Sequence, residues 1–161
     1  MAGARIAPVA RALGRLLLRR RLSMAVAESC TGGLLSSRLT DVSGSSKYFI
    51  MGLVAYSNPT KIAGAGVDVK ILTKYGAVSQ QVALEMARGI RTLVGADIGV
   101  AITGIAGPAG GTNMKPVGLV YAAIVSGRKK LAKKLRFRGS REEIKFQTSQ
   151  IVLDLIRKLY D

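Results

Sequence analysis

The stretch Ser23–Gly33, which reads SMAVAESCTGG, decides the fold of this chain of 161 residues. Its first part, Ser23–Ala27, is short and apolar, and this pattern predicts a buried β-strand. A Thr-Gly-Gly turn follows, and after it Leu34–Leu39 carries leucines at the spacing of an α-helix. A strand that passes through a tight turn into a helix is the basic unit of α/β proteins.

Strands and helices continue to alternate after this stretch. Further strands are predicted at Lys47–Tyr56, Ile98–Ile102, Val117–Val125 and Leu131–Phe137. Helices are predicted within residues 1–22, from Pro59, from Ser79 to about Val94, and after Ser140. A short basic turn joins the last two strands, which favours an antiparallel hairpin beside parallel strands. We therefore predict an α/β fold, a three-layer α/β/α sandwich with a mixed, mostly parallel sheet, in a single domain over residues 1–161.

Each longer helix is expected to bury one apolar stripe. Ser140 and Glu143 form a capping box that starts the last helix. The predicted stripes are Leu13, Leu16 and Leu17 in the first helix, Val82, Met86, Ile90 and Leu93 in the helix from Ser79, and Ile144, Ile151, Leu155 and Leu159 in the last helix.

Residues 1–22 hold six arginines, Arg5 among them, and no acidic residue, as mitochondrial transit peptides do. We favour an ordinary first helix, because the segment runs into the first strand without a small-residue cleavage zone.

The composition excludes several classes of chemistry. The chain has no histidine and one cysteine, Cys30, which excludes a histidine base, an intrachain disulfide and a multi-cysteine metal site. With one cysteine a reducing compartment is the default, and we expect a cytoplasmic protein. No apolar run approaches the roughly 18 residues of a membrane span, so no membrane association is expected. The 25 basic and 9 acidic residues give a net charge of +16, which favours anionic partners.

Three segments have the character of ligand sites in α/β sheets, which lie beyond the carboxyl ends of strands. In the first, a strand delivers Glu28, Ser29 and Cys30 to the start of a helix. The residue chemistry alone leaves Ser29, Cys30 and Thr31 open as nucleophiles. Glu28 either positions Lys61 or a ribose hydroxyl, or satisfies backbone donors.

The second segment places Tyr56 at a strand end and Lys61 in the first turns of the next helix. Lys61 can serve Ser29 as a base only if its pKa falls from about 10.4 toward roughly 7–8, which burial and neighbouring cations favour. The third segment is the Gly-rich loop of residues 104–112, followed by Lys115, and it is typical of a phosphate or sugar cradle made of backbone N–H groups.

The run Arg128–Arg138, RKKLAKKLRFR, holds seven cations in eleven residues. We interpret it as an exposed edge strand whose lysines prevent pairing with other strands. A groove for nucleic acid is possible but less favoured, because Phe137 is the one aromatic residue and no nucleic-acid-binding motif is found.

Six motifs, in order and spacing, resemble the CinA C-terminal domain family, the nicotinamide-nucleotide amidohydrolases, over about residues 8–160. The motifs are Ala27–Gly33 (AESCTGG), Gly44–Ser46 (GSS), Tyr56–Asn58 with Lys61, Gly76–Ser79 (GAVS), Thr103–Pro108 (TGIAGP) and Lys115–Gly118 (KPVG). The resemblance implies the three-layer fold and the deamidation of nicotinamide mononucleotide to nicotinate mononucleotide and ammonia, in pyridine-nucleotide recycling, without a metal or other cofactor. Two alternatives stay open, a non-catalytic module that binds a nucleotide or nucleic acid, and amide hydrolysis of another substrate.

The resemblance also implies roles for individual residues. Ser29 is the nucleophile, Lys61 the general base and Tyr56 its helper. The donors to the oxyanion are the N–H groups of Thr31, Gly32 and Gly33. The ribose and phosphate are held by Ser45, Gly104, Ile105, Ala106, Gly107, Lys115 and Arg141.

The sequence departs from the family pattern in two places. The last helix begins Gly139-Ser140-Arg141 where relatives have Gly-Asp-Arg. Lys145 stands where they have a second arginine, so the bidentate contact of that guanidinium with a phosphate is lost. The larger relatives carry an N-terminal nucleotide-processing domain absent from this sequence, so we expect none of its pyrophosphatase chemistry. The resemblance implies a small anionic nucleotide as substrate, and a homodimer or larger homo-oligomer.

Overall fold

The computed structural model describes residues 8–127 and 129–161, so Arg5 and Arg128 lie outside the described residues. The strands in the described part are β1 Met24–Glu28, β2 Phe49–Val54, β3 Ile98–Gly104, β4 Leu119–Ser126 and β5 Lys130–Arg136. The helices there are α1 Pro8–Arg20, α2 Leu34–Thr40, α3 Asn58–Ala63, α4 Val69–Tyr75, α5 Gln80–Val94 and α6 Arg141–Tyr160. A short 3-10 turn, Ser45–Lys47, precedes β2.

The strands form one sheet in the order β2-β1-β3-β4-β5. β1 pairs in parallel with both β2 and β3, whereas β4 pairs antiparallel with β3 and with β5. The pairings are therefore evenly divided, although four of the five described strands point in the same direction. The predicted mixed sheet and the β4–β5 hairpin are confirmed.

The helices cover the sheet in two layers, as predicted. On one face α1, α2 and α6 pack against Met24, Val26 and Val100, among other residues of β1, β3 and β4. On the other face α3, α4 and α5 pack against Ala25, Ala27 and neighbouring residues of the same strands. β1 and β3 are buried on both faces, which explains why their sequences are continuously apolar rather than alternating.

The buried stripe of α5 differs from the prediction at one position. Val82, Met86 and Ile90 are completely buried, as predicted, but Leu93 is 59% exposed. Steps of four residues continue the stripe from Ile90 to Val94, which packs against the core. Leu93 lies one residue too early in the helical repeat, and its place on the buried face was wrongly predicted.

The predicted stripe of α6 is wrong at Ile151 and lacks the polar residues of the buried face. Ile144 is buried, but Ile151 is 39% exposed. The buried stripe includes polar residues, which a search for apolar spacing does not find. Thr148 is completely buried, and its hydroxyl donates to the Ile144 carbonyl oxygen at 2.7 Å, so the helix backbone itself satisfies it. The stripe consists of Ile144, Thr148, Ser149, Val152, Leu153, Ile156 and Tyr160. Leu155 and Leu159 only flank it.

The ends of the predicted strands are correct to within two residues, but α4 has no counterpart in the sequence prediction. The α4 helix has seven residues, and Leu72 is its one buried side chain. It is held at its start by Asp68, whose carboxylate accepts a hydrogen bond from the Lys70 N–H at 2.7 Å. A helix this short carries too few apolar residues to produce a recognisable stripe.

Gly99 sets the distance between α5 and the sheet. A Cβ atom at this position of β3 would lie 2.0 Å from the Ala87 carbonyl oxygen and 2.6 Å from Arg91 Cβ. The glycine is therefore required by the close approach of the α5 backbone to the strand.

Gly99→Ala is expected to lower the free energy of unfolding by about 1–3 kcal/mol or more, because the added methyl group has no space. Gly127→Ala is the control, since the nearest atom to a Cβ there is the flexible end of Arg91, at 3.7 Å. Urea unfolding followed by circular dichroism measures both variants. Equally small losses in the two would contradict the close packing of α5 on β3.

Candidate active site

A cavity of about 280 Å³ lies at the carboxyl ends of the parallel strands β1, β2 and β3. Its lining comes from all three segments that were predicted to carry the chemistry. It includes Ser29 and Cys30 after β1, Tyr56 and Lys61 after β2, Gly104, Ile105, Ala106 and Gly107 at the end of β3, and Arg141 from α6. The predicted site residues named here therefore meet at one end of the sheet, where ligands of α/β proteins bind.

Glu28 is completely buried at the end of β1, and its carboxylate fixes the turn into α2. Oε2 accepts hydrogen bonds from the Thr31 hydroxyl at 2.6 Å, the Leu35 N–H at 3.0 Å and the Gly33 N–H at 3.2 Å. Oε1 accepts from the Ser36 N–H at 2.8 Å and from the Ser36 hydroxyl at 2.7 Å. Of the roles left open for Glu28, the structure shows the satisfaction of donors at the start of α2.

The N–H groups of Gly32 and Gly33 are already used within the turn. The Gly32 N–H donates to the Ser29 carbonyl oxygen at 3.0 Å, and the Gly33 N–H donates to Glu28. These two N–H groups would have to leave their partners to bind an oxyanion, so the oxyanion role of the two glycines stays a prediction. Both have positive φ, +60° and +95°, so their contribution is to bend the chain where another residue would be strained.

Ser29 and Cys30 leave β1 together, but their surroundings distinguish them. The Ser29 N–H donates to the Ile102 carbonyl oxygen of β3 at 2.9 Å, which fastens the residue to the sheet. Burial raises the pKa of the Cys30 thiol to about 12, and the negative charge of Glu28 adds to the rise. The thiol therefore stays protonated at neutral pH, so Cys30, like Ser29, would need a base to act as a nucleophile.

Lys61 is only 2% exposed, which is unusual for a lysine. Its Nζ donates to the Tyr56 carbonyl oxygen at 3.0 Å, so the end of β2 orients the amine. Burial lowers the pKa of Lys61 from its ordinary value, with a smaller opposing effect from Cys30. Within the described residues no ion pair holds Lys61, and no hydrogen bond joins its Nζ to Ser29 Oγ.

Tyr56 and Arg141 form a bridge at the rim of the cavity. Arg141, the first residue of α6, donates from Nη2 to the Tyr56 hydroxyl at 2.7 Å and from Nη1 to the Gly107 carbonyl oxygen at 2.8 Å. The contact between Tyr56 and Lys61 is made by the Tyr56 backbone, not by its phenol. The guanidinium therefore ties the end of β2 to the loop after β3.

Ser45 does not line the cavity. It begins the 3-10 turn before β2, whereas Tyr56 follows the other end of the same strand. The six residues of β2 separate the two by about 20 Å, at about 3.3 Å per residue. Within one copy of the chain Ser45 therefore lies far from this cavity, and its contact with the substrate stays a prediction.

Lys115 also lies outside the cavity lining. Its Nζ donates to the carbonyl oxygen of Tyr75, the last residue of α4, at 2.8 Å. A cation at the carboxyl end of a helix is stabilised by the unpaired carbonyl groups there. Lys115 therefore joins the Gly-rich loop to α4, and its contact with the substrate phosphate stays a prediction.

Three lining residues were not predicted as site residues, namely Asn58, Ala77 and Val78. The Thr103 hydroxyl donates to the Ala77 carbonyl oxygen at 2.7 Å and holds this segment beside the end of β3. Ala77 and Val78 belong to a motif of the family resemblance, but their apolar side chains carry no chemical signal. Asn58 belongs to another of these motifs, and the sequence analysis assigned it no role.

Comparisons with known proteins agree with this architecture. Residues 6–160 match the family model described as the CinA C-terminal domain. A CinA-like protein of Koribacter versatilis is 51% identical over 146 residues, which are 91% of this chain and 35% of that relative. The crystal structure of the competence/damage inducible protein CihA from Agrobacterium tumefaciens is similar with a TM-score of 0.90 and 37% identity, over 98% of this chain and 99% of that one. A CinA superfamily protein from Enterobacter cloacae gives a TM-score of 0.92 at 31% identity, over 97% and 92% of the two chains.

The chain belongs to the CinA C-terminal domain family, which confirms the resemblance found in the sequence and the predicted three-layer fold. It spans only 35% of the length of the curated Koribacter relative. None of the helices in the described segments combines the length and the apolar character of a bilayer-spanning helix.

Glu28→Gln is expected to lower the free energy of unfolding by about 2–4 kcal/mol, because the amide NH₂ would face donors and leave several of them unpaired. The control is Glu85→Gln, which removes a partly exposed ion pair with Arg88 and is expected to cost about 1 kcal/mol or less. Urea unfolding compares the two. A Glu28 variant as stable as the Glu85 variant would contradict the role assigned to this carboxylate.

Proposed function

We propose that this protein is an amidase that deamidates nicotinamide mononucleotide to nicotinate mononucleotide and ammonia, with Ser29 as nucleophile and Lys61 as general base. One observation carries the proposal: a serine hydroxyl and a buried lysine without an ion pair among the described residues line the same cavity. The chain has no histidine, so an amine is the natural base for the serine. The substrate itself is taken from the resemblance to the nicotinamide-nucleotide amidohydrolases.

Acylation would begin with attack of Ser29 Oγ on the carboxamide carbon, which forms a C–O bond while the hydroxyl proton passes to neutral Lys61. The protonated amine then gives this proton to the carboxamide nitrogen, the C–N bond breaks, and ammonia leaves. Water next attacks the acyl-serine ester and loses a proton to Lys61, and the ester bond breaks to release nicotinate mononucleotide. Ser29 recovers its proton from Lys61, so the overall reaction consumes one water.

The hydrogen bond from Lys61 to the Tyr56 carbonyl oxygen supports this role. A neutral amine has two N–H bonds and one lone pair, so it can donate to Tyr56 and still accept the Ser29 proton. Burial favours the neutral form, which a base requires. Substrate binding would have to bring Ser29 Oγ and Lys61 Nζ into direct contact, since catalytic hydrogen bonds tighten in the substrate complex.

The oxyanion and the phosphate need separate donors. With Gly32 and Gly33 engaged, the N–H groups of Cys30 and Thr31 are the nearest backbone donors after Ser29 for the developing oxyanion. The exposed guanidinium of Arg141 at the rim is the cation best placed for the substrate phosphate.

Ser29→Ala is expected to reduce kcat for ammonia release from nicotinamide mononucleotide by about 10³-fold or more, because the covalent path is lost. Lys61→Met, which fills the same buried space without an amine, should cause a comparable loss. The control is Ser43→Ala, at an exposed serine away from the cavity, which should retain the activity of the parent chain. Ammonia release is measured with a coupled assay, and nucleotide affinity by calorimetry.

A Ser29→Ala variant with near-parental kcat would rule out Ser29 as nucleophile. Tight binding of the mononucleotide with no turnover by the parent chain would instead support the alternative of a nucleotide-binding module.

The pH dependence tests Lys61 separately. Because Lys61 must be neutral to act as a base, kcat/KM should rise with pH and level off, with a pKa below the ordinary value of 10.5. The same lowered pKa means that the unfolded chain binds a proton that the folded chain does not, so this group makes the fold more stable as pH rises toward 10.5. Lys61→Arg should be inactive at every pH, because a guanidinium stays protonated. Activity that still rises steeply above pH 10.5 would contradict a buried amine as the base.

A further inference from the structure

The proposed active site uses little of the positive charge of this chain. There are 25 basic and 9 acidic residues, a net charge of +16, whereas a mononucleotide carries a single phosphate. In the described residues the ion pairs lie on α5 and α6, with Arg88, Arg157 and Lys158 as their cations. The cations of β5 take part in none of these pairs, so their charge is available to an external partner.

The β5 strand carries four cations, and three of them share one face of the sheet, whereas Lys133 lies on the other face. Leu131 and Leu135 of β5, and Phe137 just after the strand, point to the α6 face, where they pack against the core. Alternation along the strand therefore directs Lys130, Lys134 and Arg136 to the opposite face. The three are exposed, and the register pairs them with Val125, Tyr121 and Leu119 of β4.

Among the described residues α5 approaches β5, but the three cations stay exposed. The core on the α5 face includes Tyr121, Ala123 and Val125 of β4, but none of the described residues of β5. β5 is also the edge of the sheet, with β4 as its only pairing partner among the described strands. A row of three exposed cations therefore spans about 20 Å from Lys130 to Arg136, at about 3.4 Å per residue.

Tyr121 adds an aromatic ring to this surface. It lies directly opposite Lys134 in the β4–β5 register and is partly exposed. Proteins that bind single-stranded nucleic acid without a sequence preference combine a basic track for the backbone with aromatic side chains on which bases stack. Edge lysines that only prevent strand pairing need neither a common face nor an aromatic neighbour.

We propose that the row Lys130, Lys134 and Arg136, with Tyr121, is a docking surface for single-stranded nucleic acid. The backbone phosphates follow the β5 edge, and a base stacks on the partly exposed ring. A single strand fits better than a duplex, because its bases are free to reach Tyr121. The surface lies on β5, whereas the cavity lies at the ends of β1–β3, so it does not depend on the proposed deamidation.

The test is fluorescence anisotropy with a labelled 16-nucleotide oligo-dT, titrated at several salt concentrations. The triple variant Lys130→Gln/Lys134→Gln/Arg136→Gln is compared with Arg15→Gln/Arg19→Gln/Lys47→Gln, which removes the same net charge from exposed positions on α1 and the 3-10 turn. Each single-strand phosphate contact contributes about 0.7 to the slope of log affinity against log salt. The β5 triple variant should therefore reduce the magnitude of this slope by about 2, and the control triple should leave it nearly unchanged.

Tyr121→Leu separates stacking from charge. It keeps an apolar side chain against α5 but removes the ring, so affinity should fall about 5-fold or more while the salt slope stays the same. Circular dichroism and the deamidation assay on every variant show whether the fold and the active site are intact.

Equal losses of affinity in the two triple variants would overturn the proposal, since net charge alone would explain them. Absence of binding by the parent chain at about 50 mM salt would overturn it as well, and so would stronger binding of a duplex of the same length. A chain that binds oligo-dT through β5 but does not deamidate the mononucleotide would support this inference and contradict only the proposed function.

Discussion

One buried carboxylate organises the reactive end of this fold. Glu28 is removed from solvent at the end of β1, and such a charge is tolerated only when hydrogen bonds satisfy it. N–H and hydroxyl groups of the chain donate hydrogen bonds to both carboxylate oxygens. These donors belong to the turn of residues 29–33 and the first turn of α2, and their bonds to Glu28 hold Ser29 at the cavity.

Burial shifts the pKa values of the neighbouring groups, because a low-dielectric site favours the neutral form of each group. It raises the pKa of the Cys30 thiol and lowers that of the Lys61 amine, so the thiolate is suppressed and a basic amine is favoured. A nucleophile at this site therefore needs a base, which is the role that we propose for Lys61 beside Ser29. In contrast, Arg141 at the rim and the cations of β5 are exposed to solvent and keep their positive charge at the surface.

The sequence predicted the parts of the fold that depend on apolar periodicity and on strand–helix junctions, including the sheet, its two layers and the meeting of Ser29 with Lys61 in one cavity. It did not predict the polar part of the buried stripe of α6. Thr148 and Ser149 can be buried because their hydroxyls donate to backbone carbonyl oxygens, and a search for apolar residues does not find such positions. The sequence also did not show that the N–H groups of Gly32 and Gly33, and the amine of Lys115, have partners within the chain. Their partners are backbone or carboxylate groups whose positions only the folded chain reveals.

The central claim is that the turn fixed by Glu28 presents Ser29, and not Cys30, as the nucleophile beside Lys61. Its most direct test is mass spectrometry of the chain quenched in acid during turnover of nicotinamide mononucleotide, followed by proteolysis and sequencing of the peptide that spans both residues. The account predicts a nicotinate mononucleotide acyl ester on Ser29. The same acyl group found on Cys30 would contradict it.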